Sequence, residues 1–307
     1  DKKTKYLGLL LKYRFDDIQN LERYEKNLIS RKEMKINYKK NELVKINIGF
    51  VGSGGHASSS LLPVLSKFNV KMDTLVSRNL VTGSQLSKKY SFKRFSADIN
   101  DIWDNKAINT LFIATNHDSH AELINKALEY NKNIYVEKPL CMNKSELDEI
   151  STNYKKSKSK LMVGYNRRYA PFYKIAKNLI LNNQNNIAIN ILINAGKVPS
   201  DHWTNDIEIG GGRIIGELCH FLDLIVYLTG SRITSIQSQK IVETNNQSVF
   251  VNLNTSNGSL ASIQYVTNGH RSFPKERVEI FLSNKIIQIN NFRNIKFFGW
   301  GNKLPKF

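Results

Sequence analysis

Ile46-Asn47-Ile48-Gly49-Phe50-Val51-Gly52-Ser53-Gly54-Gly55-His56-Ala57 decides the fold of this 307-residue chain. Ile46–Val51, apolar apart from Asn47, reads as a buried strand, and Gly52–Ala57 fits G-x-G-x-x-A between that strand and a helix. In this pattern Gly52 permits the tight turn and Gly54 lets the backbone approach a pyrophosphate. Ala57 allows the helix to pack closely on the strand, and the helix N-terminus supplies the anion site.

The pattern continues outward. Val70–Val76, Asn109–Ala114, Asn133–Val136 and Lys160–Val163 read as strands. Ala57–Phe68, Thr82–Tyr90, Ser119–Tyr130 and Lys144–Ser157 read as helices. Strands alternating with helices at this spacing predict an α/β fold with a doubly wound parallel sheet. Beyond about residue 165 the rhythm changes. Helices over Phe172–Leu181 and Arg213–Leu228 flank crowded strands over Ile187–Ala195, Ile233–Val242, Ser248–Asn254, Ser259–Val266, Arg277–Leu282 and Lys285–Ile289. This predicts an α+β domain with a mostly antiparallel open sheet. The expected organisation is an N-terminal stub and linker over 1–44, a dinucleotide-binding domain over 45–165, and a substrate and oligomerisation domain over 166–307. Tyr6–Leu11 reads as a strand without a local partner, and the end at Trp300–Pro305 closes no element. Both features predict a piece of a longer protein.

Composition narrows the class. No apolar run reaches the roughly 18 residues of a membrane span, and no signal peptide is visible. Cys141 and Cys219 make no disulfide framework, so the chain reads as cytoplasmic. The formal net charge is +19, but the lysines are spread along the chain among Asn and Ile. They read as a solvated surface that can also help attract an anionic substrate, and no nucleic-acid motif accompanies them. A long exposed strand edge predicts a homo-oligomer. His202, Cys219 and His220 have no zinc-ligand spacing, so no metal is expected.

Two further stretches bear on chemistry. The second strand ends at Val76-Ser77-Arg78. A carboxylate there would favour NAD; a hydroxyl and a guanidinium can instead hold a 2′-phosphate, which tilts the expectation to NADP without excluding NAD. Glu137-Lys138-Pro139 follows another buried strand and places Lys138 at the C-terminal edge of the sheet.

Taken in order, Ile113-Ala114-Thr115-Asn116-His117-Asp118-Ser119-His120, Val136-Glu137-Lys138-Pro139-Leu140, Val163–Pro171 and Gly210–His220 resemble the Gfo/Idh/MocA oxidoreductases over roughly residues 45–290. Asp201-His202-Trp203 and Gly216–Phe221 are closest to a branch in which this unit follows a zinc-type alcohol-dehydrogenase-like half in one polypeptide. The resemblance implies hydride transfer between a nicotinamide and a sugar or nucleotide-sugar hydroxyl or carbonyl, in surface-polysaccharide pathways. Lys138 would stabilise the reacting oxygen and His220 would act as general acid/base. Gly52, Ser53, Gly54, Gly55, His56, Ala57, Ser77, Arg78, Thr115, Asn116, His120, Glu137 and Lys138 are the expected cofactor contacts. His117 is expected to position and not to react. Tyr165, Arg167, Arg168, Trp203 and Glu217 are substrate candidates. One departure stands out: many family members carry Asp one helical turn before the histidine, and here that position is Gly216, with Glu217 beside it. A non-catalytic regulator of the same fold is the competing reading.

Overall fold

The computed structural model describes residues 46–181, 186–199, 201–242 and 247–301. The expected stub and its strand at Tyr6–Leu11 lie outside these residues.

The first unit is a six-stranded parallel sheet. Its strands are β1 (Asn47–Val51), β2 (Lys71–Val76), β3 (Arg94–Ser96), β4 (Thr110–Ile113), β5 (Asn133–Val136) and β6 (Leu161–Val163), in the order β3-β2-β1-β4-β5-β6. All five residues of β1 are buried because helices cover both faces of a central parallel strand. One face packs Ile48, Phe50, Leu62 and Leu75; the other packs Val51, Ile113, Ile124 and Val136. The order reverses between β1 and β4. The turns leaving those two strands therefore diverge and open a crevice beyond the strand ends.

The second unit contains β7 (Ala188–Asn194), β8 (Ile233–Lys240), β9 (Val249–Thr255), β10 (Leu260–Val266), β11 (Glu276–Leu282), β12 (Lys285–Asn290) and β13 (Asn294–Phe298), in the order β13-β12-β11-β7-β10-β9-β8. Among the described residues of this sheet, only β7 and β10 pair in parallel. The alternation of buried and exposed residues along β9 shows a sheet covered on one face. The helices Pro171–Leu181 and Cys219–Thr229 provide that cover, with Tyr173, Ala176, Phe221, Leu224 and Leu228 in the shared core. The helix Cys219–Thr229 stops at Gly230, whose φ of +66° suits glycine. No helix among the described residues is long and apolar enough to cross a membrane.

The expected α/β and α+β units are present, with differences in detail. The helix after the glycine turn ends at Leu65 and begins with a wide π-type turn over Ala57–Leu61. The expected single helix Arg213–Leu228 is likewise broken into a π-type turn, Ile214–Leu218, and the α-helix Cys219–Thr229. Such wide turns leave no trace in apolar periodicity and are common at functional sites. The sequence reading missed β3 because three residues carry no period. It also missed β13, which follows a tight turn in which Asn291 and Phe292 have positive φ.

Candidate active site

The crevice has a volume of about 640 Å³ and is lined by Gly52–Ala57, Ser77–Asn79, Ala114–Ser119, Glu137, Lys138, Asn166, Trp203 and His220. Every segment except Trp203 and His220 follows the C-terminal end of a parallel strand. Gly52 sits at φ +108°, and a Cβ there would lie 2.3 Å from the Ala114 carbonyl oxygen, so only glycine fits. A Cβ on Gly54 or Gly55 would meet nothing within 4 Å, so their backbone faces open space. With the first helical N–H groups beside it, this is a cradle into which a pyrophosphate fits. Ser53 Oγ lies 2.6 Å from Ser77 Oγ, tying the turn to the end of β2. The Ser77 hydroxyl is thus already held, while Arg78 is exposed and makes no ion pair among the described residues.

Glu137 is nearly buried. It accepts from Tyr135 Oη at 2.7 Å and lies 3.1 Å from His56 Nε2. Its hydrogen bond raises the His56 pKa, and the His56 and Tyr135 bonds outweigh burial to hold Glu137 low. Space for this pair comes from Gly164: a Cβ there would lie 2.7 Å from Tyr135 Oη and 2.9 Å from Glu137 Oε1. The sequence reading quoted Gly164 without giving it a role. The Lys138–Pro139 peptide is cis.

His120, expected among the cofactor contacts, is corrected. It is fully buried beneath the crevice, with Nδ1 2.7 Å from the Pro139 carbonyl and Nε2 3.3 Å from that of Thr115. It joins the loops that bear Thr115 and Lys138 and does not line the crevice. His117, three residues earlier, does line the crevice.

A recess of about 370 Å³ continues inward and is lined by His117, Lys138, Arg167, Trp203, Thr204, Arg213, Gly216, Glu217, His220 and Lys275. Lys138 Nζ donates to the Gly216 carbonyl at 2.8 Å. His220 is 7% exposed, and its Nδ1 is buried without a partner. Burial, then Arg167, Lys138 and Lys275, push its pKa down to about 2, so the imidazole is neutral.

The substrate candidates divide. Arg167 reaches the recess, with its guanidinium fixed by Glu276 at 3.0 Å and set 4.3 Å over the Phe221 ring. Tyr173 completes that anchor through Glu276. Trp203 lines both crevice and recess and meets His117 edge-on at 4.7 Å. Glu217 lines the recess but is held by Arg213 at 3.0 Å. Arg168 is a correction: its fork closes on Asp223, tying residues 166–169 to the helix Cys219–Thr229, and it lies outside crevice and recess. Tyr165 is packed edge-on to His220, with ring centroids 6.2 Å apart. The sequence reading missed Lys275, a surface-type residue with no pattern around it, and quoted Asn166 within Val163–Pro171 without giving it a role.

Residues 46–165 match the family described as Gfo/Idh/MocA, oxidoreductase family, NAD-binding Rossmann fold. That match takes in about two fifths of the chain, which over these residues is similar to the Gfo/Idh/MocA oxidoreductases. The chain is 24% identical over 200 residues to the uncharacterized oxidoreductase YrbE of Bacillus subtilis (strain 168), covering 62% of this chain and 58% of that one. It is 29% identical over 155 residues to scyllo-inositol 2-dehydrogenase (NAD(+)) of the same organism, covering 50% and 44%. The chain thus spans about half the length of these curated relatives. Levoglucosan dehydrogenase in complex with NADH superposes with a TM-score of 0.73 at 21% identity, over 82% of this chain and 75% of that one, which shows a shared fold.

Proposed function

We propose that this protein is an NAD(P)-dependent oxidoreductase that interconverts a hydroxyl and a carbonyl on a sugar or nucleotide sugar. The observation that carries the reading is that Lys138 and His220, from different units, line one crevice with the glycine cradle. When bound, the nicotinamide supplies or receives the hydride at the substrate carbon. Lys138 donates a hydrogen bond to the reacting oxygen and stabilises its developing charge. His220, neutral at pH 7, exchanges that oxygen's proton.

Charge in the recess supports an anionic substrate. Arg167 is neutralised by Glu276 and Arg213 by Glu217, whereas Lys138 and Lys275 have no ion-pair partner among the described residues. An anion entering beside them would raise the basicity of His220 by offsetting the cations that depress it. This favours a nucleotide sugar over a neutral polyol. Arg78, with no acid at the end of β2, favours NADP over NAD. A role in surface-polysaccharide synthesis and a linked alcohol-dehydrogenase-like half rest on the family resemblance alone. Gly216 in place of an acid is the one observation that favours a ligand-sensing regulator.

The test is nicotinamide absorbance with NAD and NADP against neutral polyols, uronates and nucleotide sugars. Turnover of an anionic sugar supports the reading. Dinucleotide binding without turnover of any sugar overturns it in favour of the regulator.

A further inference from the structure

Gly216 has no side chain, and the space its side chain would fill is taken by His117 from the other unit. A Cβ built on Gly216 would lie 2.8 Å from His117 Cε1 and 3.4 Å from Nδ1. The ring is held there. Its Nδ1 lies 2.8 Å from the Gly210 carbonyl oxygen, Trp203 stands against it edge-on, and the Asp118 N–H donates to the Ile209 carbonyl at 3.1 Å. The loop carrying His117 is thus clipped to the segment before the wide turn Ile214–Leu218.

The hydrogen bond also fixes the tautomer. A carbonyl oxygen can only accept, so Nδ1 carries the proton and Nε2 keeps its lone pair. His117 Nε2 makes no hydrogen bond among the described residues and is not sealed from the crevice. Burial lowers the His117 pKa to about 4, so the ring is neutral at pH 7. Around it the recess presents the donors Lys138, Arg167, Arg213 and Lys275, besides the Thr204 hydroxyl and His220, which serves the reacting oxygen. The carboxylate of Glu217 is engaged by Arg213. A polyhydroxylated substrate needs an acceptor as well as donors, and a site that hydrogen-bonds a substrate hydroxyl discriminates strongly against analogues lacking it.

Resting on the oxidoreductase reading above, we infer that His117 Nε2 accepts a hydrogen bond from a substrate hydroxyl, in the space a carboxylate on residue 216 would otherwise occupy. His117 is then a substrate-binding residue, and Gly216 is glycine because the imidazole needs the room. The supposed vacancy in the site is a replacement of one acceptor by another, delivered from the opposite wall.

His117→Asn keeps a donor near Nδ1 for the Gly210 carbonyl but removes the acceptor at Nε2. It is expected to raise KM for the sugar about tenfold, the loss of one hydrogen bond of about 1.4 kcal/mol. The dissociation constant for NADH, read by fluorescence, and the melting temperature should stay near wild type. His117→Gln places an acceptor near the Nε2 position and recovers most of that loss. Gly216→Asp alone clashes with the ring and lowers activity, whereas the double variant His117→Ala, Gly216→Asp regains affinity relative to His117→Ala. Long-range nitrogen–proton NMR of the wild type should show the Nδ1–H tautomer at His117, whatever the activity. An Nε2–H tautomer overturns the inference. So does an unchanged sugar KM in His117→Asn while the wild type turns over sugar normally. Absence of sugar turnover in the wild type overturns the functional reading, and this inference with it.

Discussion

The Lys138 ammonium donates to the backbone carbonyl of Gly216 at 2.8 Å, joining the turn after β5 to the wide turn that precedes His220. This bond fixes the height of Lys138 in the crevice and joins the His117–Gly210 and Asp118–Ile209 bonds in tying the two units together. Lys138→Ala is expected to lower kcat by about a hundredfold or more, the usual cost of removing a donor to a developing oxyanion. His220→Ala should lower kcat by a similar factor. NADH binding, measured by fluorescence titration, should change only a few-fold in either variant. Unchanged kcat in both would eliminate the proposed chemistry.

Arg78 stands exposed at the end of β2, where an acid would select NAD. Removing a charge-assisted contact costs about 1.5–3 kcal/mol, so Arg78→Ala should raise KM for NADP about tenfold to a hundredfold. KM for NAD should move little. Equal changes for both cofactors would show that Arg78 does not read the 2′-phosphate.

Gly164 gives the Tyr135–Glu137–His56 cluster its room. Gly164→Ala forces a methyl group within 3 Å of two buried oxygens. The expected destabilisation is about 1–3 kcal/mol, the range for overpacking. A thermal melt checks it, and a melting temperature equal to wild type would mean that the cluster relaxes freely.

Three buried imidazoles make stability depend on pH. Burial lowers the pKa of His220 to about 2 and of His117 to about 4, and lowers that of His120. Unfolded histidine titrates near 6.5, so below that value the unfolded chain binds more protons than the folded one. Stability is full above about pH 6.5 and falls as pH drops, by up to about 1.4 kcal/mol per histidine for each unit below it. His56 works with the opposite sign. Its pKa is raised by Glu137, so its contribution is present at low pH and lost as pH rises, and its exposure keeps it small. Melting temperatures from pH 7 to 5.5 should fall, and His220→Gln should flatten the slope. An unchanged slope in that variant would remove His220 from the account.

The strand register of the second sheet aligns Leu260, Ala188, Phe281, Ile286 and Phe298 in one row across five strands. Leu260 is 55% exposed, Phe281 38% and Phe298 49%. We propose that a second copy covers this row. Light scattering should report a dimer at micromolar concentration, and Phe281→Lys should shift it to monomer. A monomeric wild type would refute the proposal.

Much of this protein was determined by sequence alone, because its signals are local. The run Ile48–Val51 into Gly52, the periodic segments between turns, and Lys138 after a buried strand each report on a few neighbouring residues, and local sterics fix them. Tertiary structure alone decided which side chains share the crevice. His120 and His117 lie three residues apart in similar surroundings, yet one is sealed under the loops and the other faces the recess. Arg167 and Arg168 are adjacent, yet Glu276 directs one into the recess and Asp223 turns the other away. Gly216 read as a missing acid; only the packing of the two units shows an imidazole filling that space. Such contacts span 55 to about 110 residues of sequence, and no periodicity or spacing encodes a partner at that distance.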